Sequence, residues 1–127
     1  MSRKIIFSDK APAAIGPYSH AVEANGMLFV SGQVPLVPET GEIVEGGIKE
    51  QTKQSVTNVD AILKESGYTK FDVVKATIFI NDMNEFPIIN EVYAEYFEGH
   101  KPARACVQVA RLPKDVGVEI EVIAVKE

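Results

Sequence analysis

The chain has 127 residues, 46% hydrophobic and 24% charged, a composition that excludes disordered and collagen-like chains. Its 13 Lys and Arg against 18 Asp and Glu leave a net charge of −5, which argues against a general phosphate-binding surface while allowing a local basic pocket. One cysteine makes neither an internal disulfide nor a cysteine zinc cluster, and no apolar run approaches the roughly 18 residues of a membrane span. Met1–Phe7 lacks the pattern of a secretory signal, so the expectation is one domain over residues 1–127, cytoplasmic and without metal.

The short apolar run Ile5-Ile6-Phe7 precedes a turn-rich stretch that contains Pro12, Gly16 and Pro17. Tyr18–Ala24 and Met27–Gly32 read as two strands around Asn25-Gly26, a pair that tolerates the positive φ of a type I′ hairpin turn. Pro35, Pro38 and Thr40-Gly41 mark a surface loop. From Ile48 the period becomes helical: Ile48, Thr52, Ser55, Val56, Val59, Ile62 and Leu63 form one stripe, and Gly67 supplies a left-handed stop. Val73–Asn81, rich in β-branched residues, reads as a strand. Asn84 caps a second helix, with Pro87 in its first turn and the stripe Phe86, Ile89, Asn90, Tyr93 and Phe97. Ala103–Ala110 and Val118–Val125 complete the set. Strands, helix, strand, helix, strands predict an α+β layer, one sheet with two helices on one face. The other face then needs a cover, which points to a homo-oligomer.

Alternation sorts the last strands by face. Ala103, Ala105, Val107 and Val109 share one side of their strand, and Arg104, Cys106 and Gln108 share the other. Glu119 and Glu121 share a side with Ile123 and Val125, so carboxylates stand among aliphatics on a half-buried face. Arg104 reads either as a surface ion pair or as a fork that grips a carboxylate with two parallel hydrogen bonds. Cys106 reads first as a small core residue. Neither His20 nor His100 sits in a nucleophile motif. Asn90, polar on an apolar stripe, either binds neighbouring backbone or donates into a pocket. Residue type and spacing end here, at a possible carboxylate-binding pocket.

Pro102-Ala103-Arg104-Ala105-Cys106-Val107-Gln108-Val109-Ala110-Arg111-Leu112-Pro113, followed by Val118-Glu119-Ile120-Glu121, resembles the C-terminal signature of the RidA (YjgF) family. Ala14-Ile15-Gly16-Pro17-Tyr18-Ser19, Val30-Ser31-Gly32-Gln33 and Asn58 are similar to that family too, in the right order and across nearly the whole chain. The resemblance implies a chorismate-mutase-like fold with one mixed sheet, and a homotrimer whose sheets form a central barrel with ligand sites between subunits. It also implies cofactor-free hydrolysis of reactive enamines and imines (2-iminobutanoate, 2-iminopropanoate and 2-aminoacrylate) to 2-oxo acids and ammonia, protecting pyridoxal-phosphate enzymes. By the same carry-over Arg104 binds the substrate carboxylate and Glu119 orients the water, while Tyr18, Ser31, Gly32, Asn90 and Cys106 complete the pocket. The connection Glu98-Gly99-His100-Lys101 is shorter than in some members, which bears on the pocket rim. Two other readings attach to relatives: a ribonuclease or translation inhibitor, which the acidic charge and the lack of an aromatic-basic stripe oppose, and a metabolite-binding regulator without turnover.

Overall fold

A computed structural model describes residues 3–126. Lys4–Ile6 (β1), Ala21–Ala24 (β2), Met27–Gln33 (β3), Val73–Ile80 (β4), Ala103–Gln108 (β5) and Val118–Val125 (β6) form one sheet in the order β1-β2-β3-β6-β4-β5. Two helices, Ile48–Glu65 (α1) and Phe86–Phe97 (α2), share a core with one face of it. Every pairing is antiparallel except β4 with β5, whose parallel alignment requires the crossover that α2 provides. The mixed α+β sheet is the one expected. No helix among the described residues is long and apolar enough to cross a membrane.

Asn25 and Gly26 both have positive φ, 53° and 73°, as the type I′ turn between β2 and β3 demands. The first strand of this hairpin starts at Ala21, three residues later than the sequence suggests. The chain turns sharply at Gly16, φ 137°, with the Tyr18 N–H donating to the Gly16 carbonyl at 2.9 Å. α1 buries its whole predicted stripe and stops at Gly67, φ 81°. Asn58, outside that stripe, is also fully buried. Its amide donates to the Val34 and Leu36 carbonyls at 3.1 and 3.0 Å and accepts from Gln54 at 2.9 Å, fixing the loop after β3. Fully buried Ile62, Leu63, Ile78, Ile80, Ile89 and Ile120 join helices to sheet, each contributing about 1.5–3 kcal/mol through burial.

The cap of α2 differs from expectation. Asn84 lies inside a single 3₁₀ turn, Met83–Glu85, and Asp82 is the residue whose carboxylate accepts from the Asn84 N–H at 2.9 Å. Both residue types can cap, and the extra turn moves the start of the α-helix to Phe86. The strands before and after α2 are also shorter than expected, ending at Ile80 and Gln108, where the Val109 N–H makes a last bond to the Ile80 carbonyl.

Register settles the two faces. Ala76, Ile78 and Ile80 of β4 point into the helix layer and stand beside Arg104, Cys106 and Gln108 of β5. The apolar set Ala103, Ala105 and Val107 therefore lies on the open face, with Phe29, Ile123 and Val125. Phe29 and Val107 are 43% and 42% exposed in the single chain. Apolarity alone does not mark the helix side here, because the open face is apolar as well.

Candidate functional site

Arg104 stands on the outermost strand and reaches the face of α2. Phe86, Asn90 and Tyr93, spaced i, i+4 and i+7, form one side of that helix. The guanidinium carbon lies 5.5 Å from the Phe86 ring centre and 4.9 Å from that of Tyr93, and Nη1 donates to Asn90 Oδ1 at 2.7 Å. Two rings and one amide oxygen hold the fork in place, and among the described residues no carboxylate pairs with it. Since Asn90 Oδ1 is committed to Arg104, its N–H₂ is the group left to donate. Arg104, Asn90 and Tyr93 line an open cleft of about 390 Å³, together with Gly99, His100, Lys101 and Pro102. The short connection before β5 thus borders the cleft. His100 serves structure, its Nε2 lying 2.7 Å from the Val73 carbonyl oxygen.

Glu119 belongs to the opposite side of the sheet. Its register neighbour is Phe79 on β4, and it shares the open face with Glu121. Across from it β3 carries a bulge: Val30 pairs with Val122 but Gln33 with Ile120, so Ser31 and Gly32 take the place of one residue. A β-carbon on Gly32 would run into the Glu119 carboxylate, so any other residue here would displace that carboxylate. Tyr18, Ser31, Gly32, Val34, Pro113, Glu119 and Glu121 line a cavity of about 410 Å³. The Ser31 hydroxyl donates to the Ser19 carbonyl at 2.7 Å, which leaves its oxygen to accept. Tyr18 is 47% exposed and stands at the mouth. Burial, and after it the Glu121 carboxylate, push the Glu119 carboxyl above the ordinary value.

The sequence-predicted residues thus form two clusters. Arg104 and Asn90 meet on the helix side of the sheet, whereas Tyr18, Ser31, Gly32 and Glu119 meet on its open side. Cys106 connects with neither through its thiol, which faces the core. Its backbone matters more. The Val109 N–H bonds to β4, so in the parallel ladder Val107 and Ala105 also face β4. The N–H groups of Arg104, Cys106 and Gln108 consequently point out of the free sheet edge. Burial raises the Cys106 thiol pKa, and Arg104 opposes this only as the smaller influence. A protonated thiol is a poor nucleophile. Cys106→Ser is expected to retain most activity in any assay of the site, with a stability loss of about 1 kcal/mol by thermal melting. Complete inactivation of a folded variant would instead assign the thiol a chemical role.

His20 is likewise structural. Its Nδ1 accepts from the Ser8 N–H at 2.9 Å and its Nε2 lies 2.8 Å from the Pro12 carbonyl oxygen, so the neutral ring ties down the segment before Tyr18. Among the described residues, no group of three His, Cys, Asp or Glu could hold a metal ion. Among the residues that line the Glu119 cavity, Val34 and Pro113 escaped sequence reading, and Pro113 is followed by Lys114 and Asp115. Pro113 belongs to a 3₁₀ turn in which Lys114 and Asp115 both adopt positive φ, 58° and 57°, a conformation that lysine does not announce.

A mixed sheet with a stacked arginine on one side and a half-buried carboxylate on the other defines an α+β protein equipped to hold a small anionic molecule. Residues 8–126 match the model of the family described as Endoribonuclease L-PSP, and the chain belongs to that family, the RidA family of the motifs above. A RutC family protein of Pyrococcus abyssi is 55% identical over 100% of both chains. The 2-iminobutanoate/2-iminopropanoate deaminase of Mus musculus is 51% identical, with 98% of this chain and 92% of the mouse protein covered. The crystal structure of Escherichia coli TdcF with bound serine superposes with a TM-score of 0.93 at 50% identity, covering 98% of this chain and 99% of that one.

Proposed function

We propose that this protein is a 2-iminobutanoate/2-iminopropanoate deaminase that hydrolyses 2-imino acids and their enamine tautomers to 2-oxo acids and ammonia. We place it in the cytoplasm as a homotrimer, with each site formed between two subunits. The observation that carries this reading is the division of the site. Arg104 and Glu119 lie on opposite faces of one sheet, so a molecule gripped by one chain's arginine reaches the carboxylate of a neighbouring chain. The apolar open face supports the same assembly, since three copies packed on that face would bury Phe29, Val107 and Val125. The mouse relative's name and the serine in the TdcF structure, an α-amino acid with the same carboxylate, support the substrate class.

Each group then has a task. The Arg104 fork and the Asn90 N–H₂ hold the substrate carboxylate, and the Cys106 N–H at the sheet edge donates beside them. With the substrate fixed, one water must be placed on the C=N carbon, which is the proximity part of catalysis. Glu119 accepts a proton as that water adds to the protonated imine, giving a carbinolamine. It returns the proton to nitrogen and then takes the hydroxyl proton as the C–N bond breaks, releasing ammonia and the 2-oxo acid. A carboxyl with raised pKa suits both directions of transfer. The Ser31 oxygen is available to accept from the iminium N–H.

The direct test is 2-aminoacrylate generated in situ. The protein is expected to accelerate release of ammonia and pyruvate in equal amounts over the buffer reaction. A rate equal to buffer alone would contradict the enzyme reading and leave the metabolite-binding one.

A further inference from the structure

The Glu119 cavity does not end at the carboxylate. Tyr18, Gly32, Val34 and Pro113 also line a second cavity, of about 320 Å³, so the two adjoin at these four residues. Beyond them the second cavity is lined by Pro12, Ala13, Ile15 and Leu36, with Gln33 and Lys114 as its polar members. Its volume falls in the range of small-molecule pockets, which exceeds what a methyl or ethyl group fills.

The walls are held in shape. Asn58 binds the carbonyls of Val34 and Leu36, and Leu36 also bridges to Ile43 across the loop. Pro12 is fixed by its bond with the buried His20 ring. Opposite, the Lys114–Asp115 backbone keeps its left-handed conformation through the Asp115 N–H to Leu112 carbonyl bond at 3.0 Å and the ion pair of Arg111 with Asp115. Backbone strain of this kind persists only where the surroundings over-determine it.

The trigonal carbon of a 2-imino acid carries three groups: carboxylate, nitrogen and side chain. With the carboxylate assigned to Arg104 and the carbon to the Glu119 water, the side chain is the group left for the adjoining cavity. We infer that the second cavity is the side-chain pocket, and that it favours 2-imino acids whose aliphatic side chains are longer than ethyl. The inference rests on the deaminase reading above and extends it to specificity. Ile15 and Leu36 supply the apolar contact, and Ala13 lines the pocket beside them.

The test is a series of imines made in situ by an L-amino acid oxidase from alanine, 2-aminobutyrate, norvaline and leucine, with 2-oxo acid formation followed. Each added methylene is expected to raise kcat/KM about fourfold until the cavity is filled. Ala13→Trp, at an exposed position, is expected to lower kcat/KM for the leucine-derived imine about tenfold and leave that for 2-iminopropanoate within about twofold. Ile15→Ala, also exposed, is expected to lower only the long-chain values, by about threefold. A flat series, or an equal loss on all four imines in both variants, overturns the side-chain pocket while the deaminase reading stands. Failure to hydrolyse any of the four overturns both.

Discussion

Arg104→Ala is expected to lower kcat/KM for 2-iminobutanoate about 10²–10³-fold and to remove detectable 2-oxobutanoate binding by calorimetry. A small 2-imino acid offers few handles, so its carboxylate supplies much of the orienting energy. Two charge-assisted hydrogen bonds lost together cost about 3–5 kcal/mol, which is two to three or more powers of ten in affinity. Stacking on Phe86 and Tyr93 and the bond to Asn90 mean that the fork is already oriented before the ligand arrives. Arg104→Lys keeps the charge but neither the planar stack nor the fork, so it should also be poor. The variant should fold, because Arg104 is exposed and lies at the sheet edge. Unchanged 2-oxobutanoate affinity in Arg104→Ala would contradict the clamp.

Glu119→Gln should separate binding from turnover. Glutamine keeps the shape over Gly32 but cannot take a proton, so kcat is expected to fall about 10²–10⁴-fold while 2-oxobutanoate still binds. The pH profile gives the sign. Only the ionised carboxylate accepts the proton of water, so kcat/KM falls as pH drops through the Glu119 pKa. Burial and Glu121 raise that pKa, which puts the acidic limb above the ordinary glutamate range, and Glu121→Gln should move the limb down. A wild-type profile unchanged in Glu119→Gln would remove Glu119 from the reaction.

Much of this could be read from the chain because local signals agreed with tertiary ones. Asn25-Gly26 has one conformation that fits a tight hairpin, and the α1 stripe has a single buried face. The alternation in β5 correctly separated Arg104 from its apolar neighbours. What alternation cannot give is which side the helices occupy, and here the apolar side is the open one. Hence the opposition of Arg104 and Glu119 across the sheet emerged only from register. The Ser31–Gly32 bulge is similarly invisible, since glycine in a strand marks a bulge, a bend or a close approach alike. Glu119 packed against Gly32 shows that the bulge and the close approach coincide. The side-chain pocket had no signal, because Pro12, Ala13, Ile15, Leu36 and Lys114 come from three separate loops.

The central claim is that each site takes Arg104 from one subunit and Glu119 from another. It is tested most directly by refolding an equal mixture of Arg104→Ala and Glu119→Gln chains, each inactive alone. In randomly mixed trimers a site built between subunits receives both native groups in roughly a quarter of cases, so roughly a quarter of wild-type activity should return. No recovery from a mixture that has demonstrably exchanged subunits would contradict the account, since a site contained in one chain is broken in every copy.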